Sequence, residues 1–314
     1  MDCAIVPLKR YPDLNLIETV DFFYPLVDNP FLMGKIAFAN VVSDLCSIGV
    51  TKIDHVNILI SSPTEFTEEE RDIILPLLLK GIAEHANSIK VKFSLIKVSL
   101  NPWCIIGGIA STVCKVDEIV PPVGAKAGNV LILTKPIGTQ LATSVFNWMD
   151  KKANQYEALK SEWNSEDSLE EAIKKVYARA IKSMSHLNHN GAVLMHKYGA
   201  TSATDVTGFG LIGHAQNLAT NQDESVDFII DKLAVIEGIP EMAKILSHEK
   251  KLLSGKAVET SGGLLLTIPS ENAGGFCDEY LELNGFSAHV VGKVLAGKRL
   301  AKIVDDPEII EVDL

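Results

Sequence analysis

No apolar run in this chain approaches the ~20 residues that a membrane-spanning helix requires, so no span is expected. Met1-Asp2-Cys3 leads into mixed residues instead of a basic start and an apolar block, so no secretory signal is expected either. Cysteine is scarce: Cys3, Cys46, Cys104, Cys114 and Cys277 are odd in number, scattered, and lack any CxxC spacing. That pattern argues against a disulfide framework and a structural zinc, and fits a reducing compartment. Basic residues are outnumbered, with 29 Lys and Arg against 40 Asp and Glu and a net charge of −11. Such a balance argues against broad binding to nucleic acid or anionic membranes, both of which need a basic surface. No short repeat or low-complexity block occurs. A soluble cytoplasmic protein is the expectation.

What is present is length and apolar content. At 314 residues, 47% of them apolar, the chain can build two domains or one large one. The N-terminal part alternates strand and helix patterns. Leu14–Tyr24 reads as extended. Asn29-Pro30 is a helix start, with Asn as N-cap and Pro at the first helical position, and that helix is expected to run to about Ile48. Ile53–Ile60 reads as a strand, and Thr67-Glu68-Glu69-Glu70 as a capping box opening a helix through about Ala86. Val91–Leu100 and Cys104–Val116 read as strands. Pro121 to Gly128 is the clearest linker. Beyond it come a strand at Asn129–Thr134, helices at Gln140–Met149 and Leu169–Leu187, and a polar surface insertion at Asp150–Asp167. A helix near Gly208, strands at Val226–Ile230 and Gly263–Ile268, a helix near Glu271–Leu283, and strands at Ala288–Leu295 and Arg299–Val304 follow. Two α+β units joined near residue 122 are expected.

The chemistry is carried by carboxylates. Asp205 ends a short polar segment, and Gly208 and Gly210 then open the apolar run Leu211–Ala219. A Gly-rich loop at a helix start offers backbone N–H groups and a positive dipole end to phosphate, and a carboxylate beside it suits the Mg²⁺ that a nucleotide brings. Asp44 lies in a helix that is apolar nearly all round, with Asn40 four residues earlier on the same face, so it needs a local hydrogen-bond partner or a metal. Asp21 reads as a turn residue or as a strand end facing a site, and Asp2 as solvated or as part of the same cluster. Four converging aspartates would suit two or more ions along a triphosphate. Gly107-Gly108 in an apolar strand marks a bulge or a close backbone approach. Thr260-Ser261-Gly262-Gly263 reads as a turn before a strand, with an anion nest as the alternative. His214 reads as a hydrogen-bonded packing residue and Trp103 as packing.

Several stretches together resemble selenophosphate synthetase (selenide, water dikinase), in its animal-type branch. They are Thr19 to Pro30, Ala39 to Leu45, Leu100-Asn101-Pro102-Trp103 with Gly107-Gly108, Leu133 to Gln140, the Asp205 motif, and Glu259 to Leu265. They are collinear and span nearly the whole chain. The resemblance implies an α+β, two-domain aminoimidazole ribonucleotide (AIR) synthetase-like (PurM-like) fold. It places an N-terminal ATP/Mg-binding and dimerisation domain at 1–120, pairing with a second copy into a β-barrel homodimer, and a C-terminal domain at 126–305. It implies conversion of ATP, selenide and water to selenophosphate, AMP and orthophosphate, supplying selenium for selenocysteine synthesis. By motif match, Asp2, Asp44 and Asp205 are the implied Mg²⁺ ligands, and Asp2, Asp21 and Asp44 face the nucleotide.

Two departures bear on this. The sequence starts at Met1-Asp2, inside the family pattern, so either it is a fragment of a longer chain or the family's Gly-rich segment with its Lys and its Cys or Sec position is absent, and no catalytic residue is carried over. Leu95-Ile96-Lys97-Val98 stands where the family has a Gly-Gly-Gln-Thr type segment, bringing bulk where glycines let the backbone approach the nucleotide. Impaired catalysis is therefore expected, with a non-catalytic dimeric partner or regulatory subunit as the alternative reading. A thiamine phosphate kinase or purine synthetase of the same superfamily is disfavoured by the Asn101-Pro102-Trp103 and Leu133–Gln140 matches.

Overall fold

A computed structural model describes residues 2–164 and 168–314. The chain forms two compact units, one running to Val120 and including Ser185–Lys197, the other comprising Pro121–Met184 and Tyr198–Leu314.

In the first unit, β1 (Ala4–Leu8) and β2 (Tyr11–Phe23) form a hairpin, followed by α1 (Pro30–Val41), α2 (Ser43–Ser47), β3 (His55–Pro63), α3 (Glu68–Ser88), β4 (Lys92–Asn101) and β5 (Ile105–Cys114). The sheet order is β1-β2-β5-β3-β4. All pairs are antiparallel except β3 with β4, which α3 connects as the crossover that parallel strands need. Asn29 caps α1 by accepting the Leu32 N–H at 3.1 Å, with Pro30 at the first position. Thr67 and Glu70 form the expected reciprocal capping box on α3. The expected single helix to Ile48 is instead two: Val42 (ψ −6°) interrupts it, and the carboxylate-bearing α2 starts afresh. In β3, Val56, Ile58 and Ile60 alternate onto the helix-covered face and are buried, each contributing roughly 1.5–3 kcal/mol by leaving water. On β2 and β5 the outward positions Val20, Phe22 and Val113 stay exposed. Trp103, expected to pack, is 70% exposed, because it follows the end of edge strand β4.

In the second unit, β6 (Asn129–Leu133), α4 (Thr139–Asp150), α5 (Asn154–Glu162) and α6 (Leu169–Ser185) come first. The helix α7 (His189–Tyr198) belongs almost wholly to the first unit, where His189 and His196 Nε2 contact the Thr51 and Gly49 carbonyls. Then follow β7 (Ser202–Asp205), α8 (Gly210–Thr220), β8 (Val226–Ile236), α9 (Ile239–Ile245), α10 (Glu249–Leu253), β9 (Leu264–Pro269), α11 (Ala273–Asn284), β10 (His289–Ala296) and β11 (Ala301–Val312). The sheet order is β11-β8-β10-β6-β9-β7, with only β11 and β8 parallel. The expected polar insertion contains α5, whose Tyr156 and Leu159 are buried; its residues 165–167 lie outside the described residues. α6 buries Ile173, Val176, Ala180 and Met184 at helical spacing.

Candidate active site

Strand β2 sends alternate side chains to the helix-covered face, and Thr19 and Asp21 are two of them. Asn40 on α1 donates its Nδ2–H to Asp21 Oδ2 at 2.7 Å. Thr19 Oγ1 donates to Asp44 Oδ2 at 2.5 Å. Ser47, three residues after Asp44 on α2, lies 3.1 Å from Asp2 Oδ2. Thus Asp2, Asp21 and Asp44, each a candidate from the sequence, gather in one cleft of about 580 Å³ lined also by Cys3, Glu18, Thr19 and Ile109. Four acidic residues and no Lys or Arg line it. Burial raises the Asp21 carboxyl above the usual carboxylate range; the Asn40 hydrogen bond opposes this, and the Asp2 charge adds to it.

Gly107 explains how β5 fits here. A Cβ at this position would lie 1.9 Å from the Asp21 carbonyl oxygen. The β2–β5 register runs unbroken past Gly107 and Gly108, so the pair marks close approach and not a bulge. Thr19 and Ser47 were not singled out by sequence reading. The available signals were period two from Asp21 along a strand and i+3 from Asp44 along a helix.

In the second unit, Asp205 ends β7 and is 3% exposed. The segment after it is held from two sides. Val206 N–H donates to the Gly263 carbonyl at 2.9 Å. Thr207 and Phe209 N–H groups donate to His214 Nε2 at 3.0 and 3.3 Å, so that nitrogen is an acceptor and the imidazole is neutral with its proton on Nδ1. His214 is the hydrogen-bonded residue expected. The Thr207, Phe209 and Gly210 N–H groups are thus engaged within the chain. The Thr260–Gly263 segment is a tied turn: Thr260 N–H donates to Thr139 Oγ1 and Leu264 N–H to Thr134 Oγ1.

Among the described residues, no three His, Cys, Asp or Glu side chains are placed to enclose an ion unaided. Mg²⁺ seldom needs that, since it keeps waters and phosphate oxygens and takes one or two carboxylates. A cleft with several carboxylates, neutral donors around them and no basic side chain in its lining fits such an ion.

Residues 1–110 match the family "AIR synthase related protein, N-terminal domain", and residues 126–305 match "AIR synthase related protein, C-terminal domain". Selenide, water dikinase 2 of Drosophila melanogaster is 45% identical, with 100% of this chain and 85% of that protein covered. The chain belongs to the selenide, water dikinase family. Selenide, water dikinase 2 of Homo sapiens is 41% identical over 99% of this chain and 68% of its own length. The crystal structure of thiamine-monophosphate kinase from Stenotrophomonas maltophilia K279a aligns with a TM-score of 0.71, covering 94% of this chain and 86% of that one. At 14% identity that likeness carries the two-domain α+β fold alone. The first unit of this chain, which matches the AIR synthase-related N-terminal domain, brings three aspartates to one cleft.

Proposed function

We propose that this chain is an ATP-dependent phosphotransferase that makes selenophosphate from ATP, selenide and water, releasing AMP and orthophosphate. The observation that supports this most is the convergence of Asp2, Asp21 and Asp44 on one cleft without basic lining. We assign Asp2 and Asp44 of the first unit, and Asp205 of the second, as Mg²⁺ ligands, with Asp21 facing the phosphates. Bound Mg²⁺ would neutralise triphosphate charge and fix its geometry. The chain's own residues prepare for it. Thr19 and Asn40 orient Asp44 and Asp21 with neutral donors, which leaves the carboxylates' charge for the ligand. The exposed outward face of the first sheet, with Val20, Phe22 and Val113, supports a homodimer in which a second copy covers it.

The Leu95–Val98 segment favours slow turnover as a refinement. It lies in edge strand β4, where Ile96 bulges between the paired Leu95 and Lys97, and Leu95 and Ile96 are 38% and 58% exposed. In this reading those side chains bring bulk where the family's glycines let the backbone approach the nucleotide. Selenide-dependent release of AMP by the purified protein tests the main reading; ADP as sole nucleotide product would sink it. Replacing the segment (Leu95→Gly, Ile96→Gly, Lys97→Gln, Val98→Thr) should raise kcat at least tenfold. An unchanged kcat would sink the role given to this segment; no AMP release by either form would point to the alternative reading, a non-catalytic partner subunit.

A further inference from the structure

Two ionisable side chains of the second unit are buried far from solvent yet lie outside the carboxylate set above. Lys135 is 1% exposed and Glu259 is 3% exposed. Each belongs to a loop at the same end of the sheet. Lys135 follows the end of β6, and Glu259 precedes the start of β9. Each reaches the main chain of the other's loop. Lys135 Nζ donates to the Ser261 carbonyl at 2.9 Å. Glu259 accepts the Gly138 N–H at 2.8 Å, the Thr139 N–H at 3.0 Å and the Thr139 hydroxyl at 2.5 Å. Burying such groups is costly unless they are hydrogen-bonded, and here each is bonded to backbone of the loop opposite.

The loop they hold in common supports Asp205. Leu264 pairs with Asp205 on β7, and Leu265 pairs with Leu133 on β6, so Glu259–Gly263 enters the sheet between those strands. The Gly263 carbonyl takes the Val206 N–H, and the Glu259 N–H donates to the Thr207 carbonyl at 3.1 Å. The fit leaves no slack. A Cβ on Gly263 would lie 2.4 Å from the Lys135 backbone nitrogen, and one on Gly262 would lie 2.1 Å from the Val206 carbonyl oxygen. Displacement of the central loop therefore moves the residues just after Asp205.

We propose that Lys135 and Glu259 form a reciprocal clasp that fixes the Glu259–Gly263 loop and so positions the Asp205 carboxylate for a divalent cation carried by a nucleotide. They are positioning residues, and the assignment rests on the ATP-dependent reading above. Neither touches the reacting atoms in this scheme. Because both act on one loop, their effects should not add.

The test uses the full chain with Lys135→Met, Glu259→Gln and the double variant. Two readouts are taken: amide hydrogen exchange without ligand, and the Mg²⁺ concentration for half-maximal AMP release. Expected is at least tenfold faster exchange confined to 205–208 and 259–264 in each single variant. The Mg²⁺ requirement should rise at least fivefold, and the double variant should be no worse than the poorer single one. Unchanged exchange at 205–208 in a folded variant would overturn the clasp. So would additive effects, or an unshifted Mg²⁺ requirement. If neither single variant folds, the pair is a condition of the fold and not a positioning device, which also overturns it. Absence of AMP release by the wild type defeats the functional reading and, with it, the Mg²⁺ role, whereas the exchange result still judges the mechanical coupling by itself.

Discussion

The acidic cleft of the first unit and the clasped loops of the second hold charge in opposite ways. In the cleft, Asp2, Asp21 and Asp44 are met by a serine, an asparagine amide and a threonine, all neutral donors. In the loops, Lys135 and Glu259 are bonded mainly to backbone groups inside the unit. Neutral donors orient a carboxylate without cancelling it, so the cleft keeps an external field. Backbone partners in a dry interior turn a charge into a mechanical tie. The difference separates residues prepared for a ligand from residues that hold the protein still.

The comparison breaks first at Asp44. Asp44→Asn keeps the shape and removes the charge. If the cleft's field is its function, kcat for AMP release should fall about 10³-fold, or ~4 kcal/mol, with little change in Tm. A fall in Tm with kcat preserved would class Asp44 with the structural ties.

Next in size is the pH dependence of the clasp. Burial pushes the Glu259 carboxyl up to about 7, against the bonds from Thr139 and Gly138 that pull it down. A folded-state value above the unfolded one means that the native state binds more protons across that interval. The contribution is therefore complete below the unfolded value near 4.5 and is lost as pH rises through about 7. Its size is about 3 kcal/mol. Urea unfolding between pH 5 and 8 should show it, and Glu259→Gln should flatten the profile over that range.

Thr19→Val sharpens the contrast from the other side. It removes the donor to Asp44 and should cost about 1–2 kcal/mol of stability while raising the Mg²⁺ requirement several-fold. The smallest effect sets the scale for an exposed pair. Thr67→Ala deletes the α3 capping box and should lower stability by about 1 kcal/mol without touching turnover. Comparable effects of these two threonines on turnover would erase the distinction between them.

Much of the cleft was legible because strand and helix periods do geometry. Period two along β2 and i+4 spacing from Asn40 to Asp44 put Thr19, Asp21, Asn40 and Asp44 on facing surfaces, even though the break at Val42 was not foreseen. Caps were legible for the same local reason, as Asn29 and Thr67 illustrate. Three things were hidden. β7 reads Ser-Ala-Thr-Asp, which is polar, but all four residues are buried because Ser202 and its neighbours find hydroxyl partners on β9 such as Thr267. α5 sits in a charged stretch and is anchored only by Tyr156 and Leu159. Lys135 and Glu259 lay within stretches noted only for the family resemblance, and a charged side chain in sequence gives no sign that distant backbone will surround it.

The pairing of β8 carries a further consequence for synthesis. Both of its neighbours, β10 and β11, are made after it, and β11 joins it in parallel over two stretches of register. A ribosome that has released only as far as α11 would leave Val226–Ile236 with both flanks open, an apolar ribbon ready to recruit a stray strand. A nascent chain stalled there should be the species that chaperones hold longest.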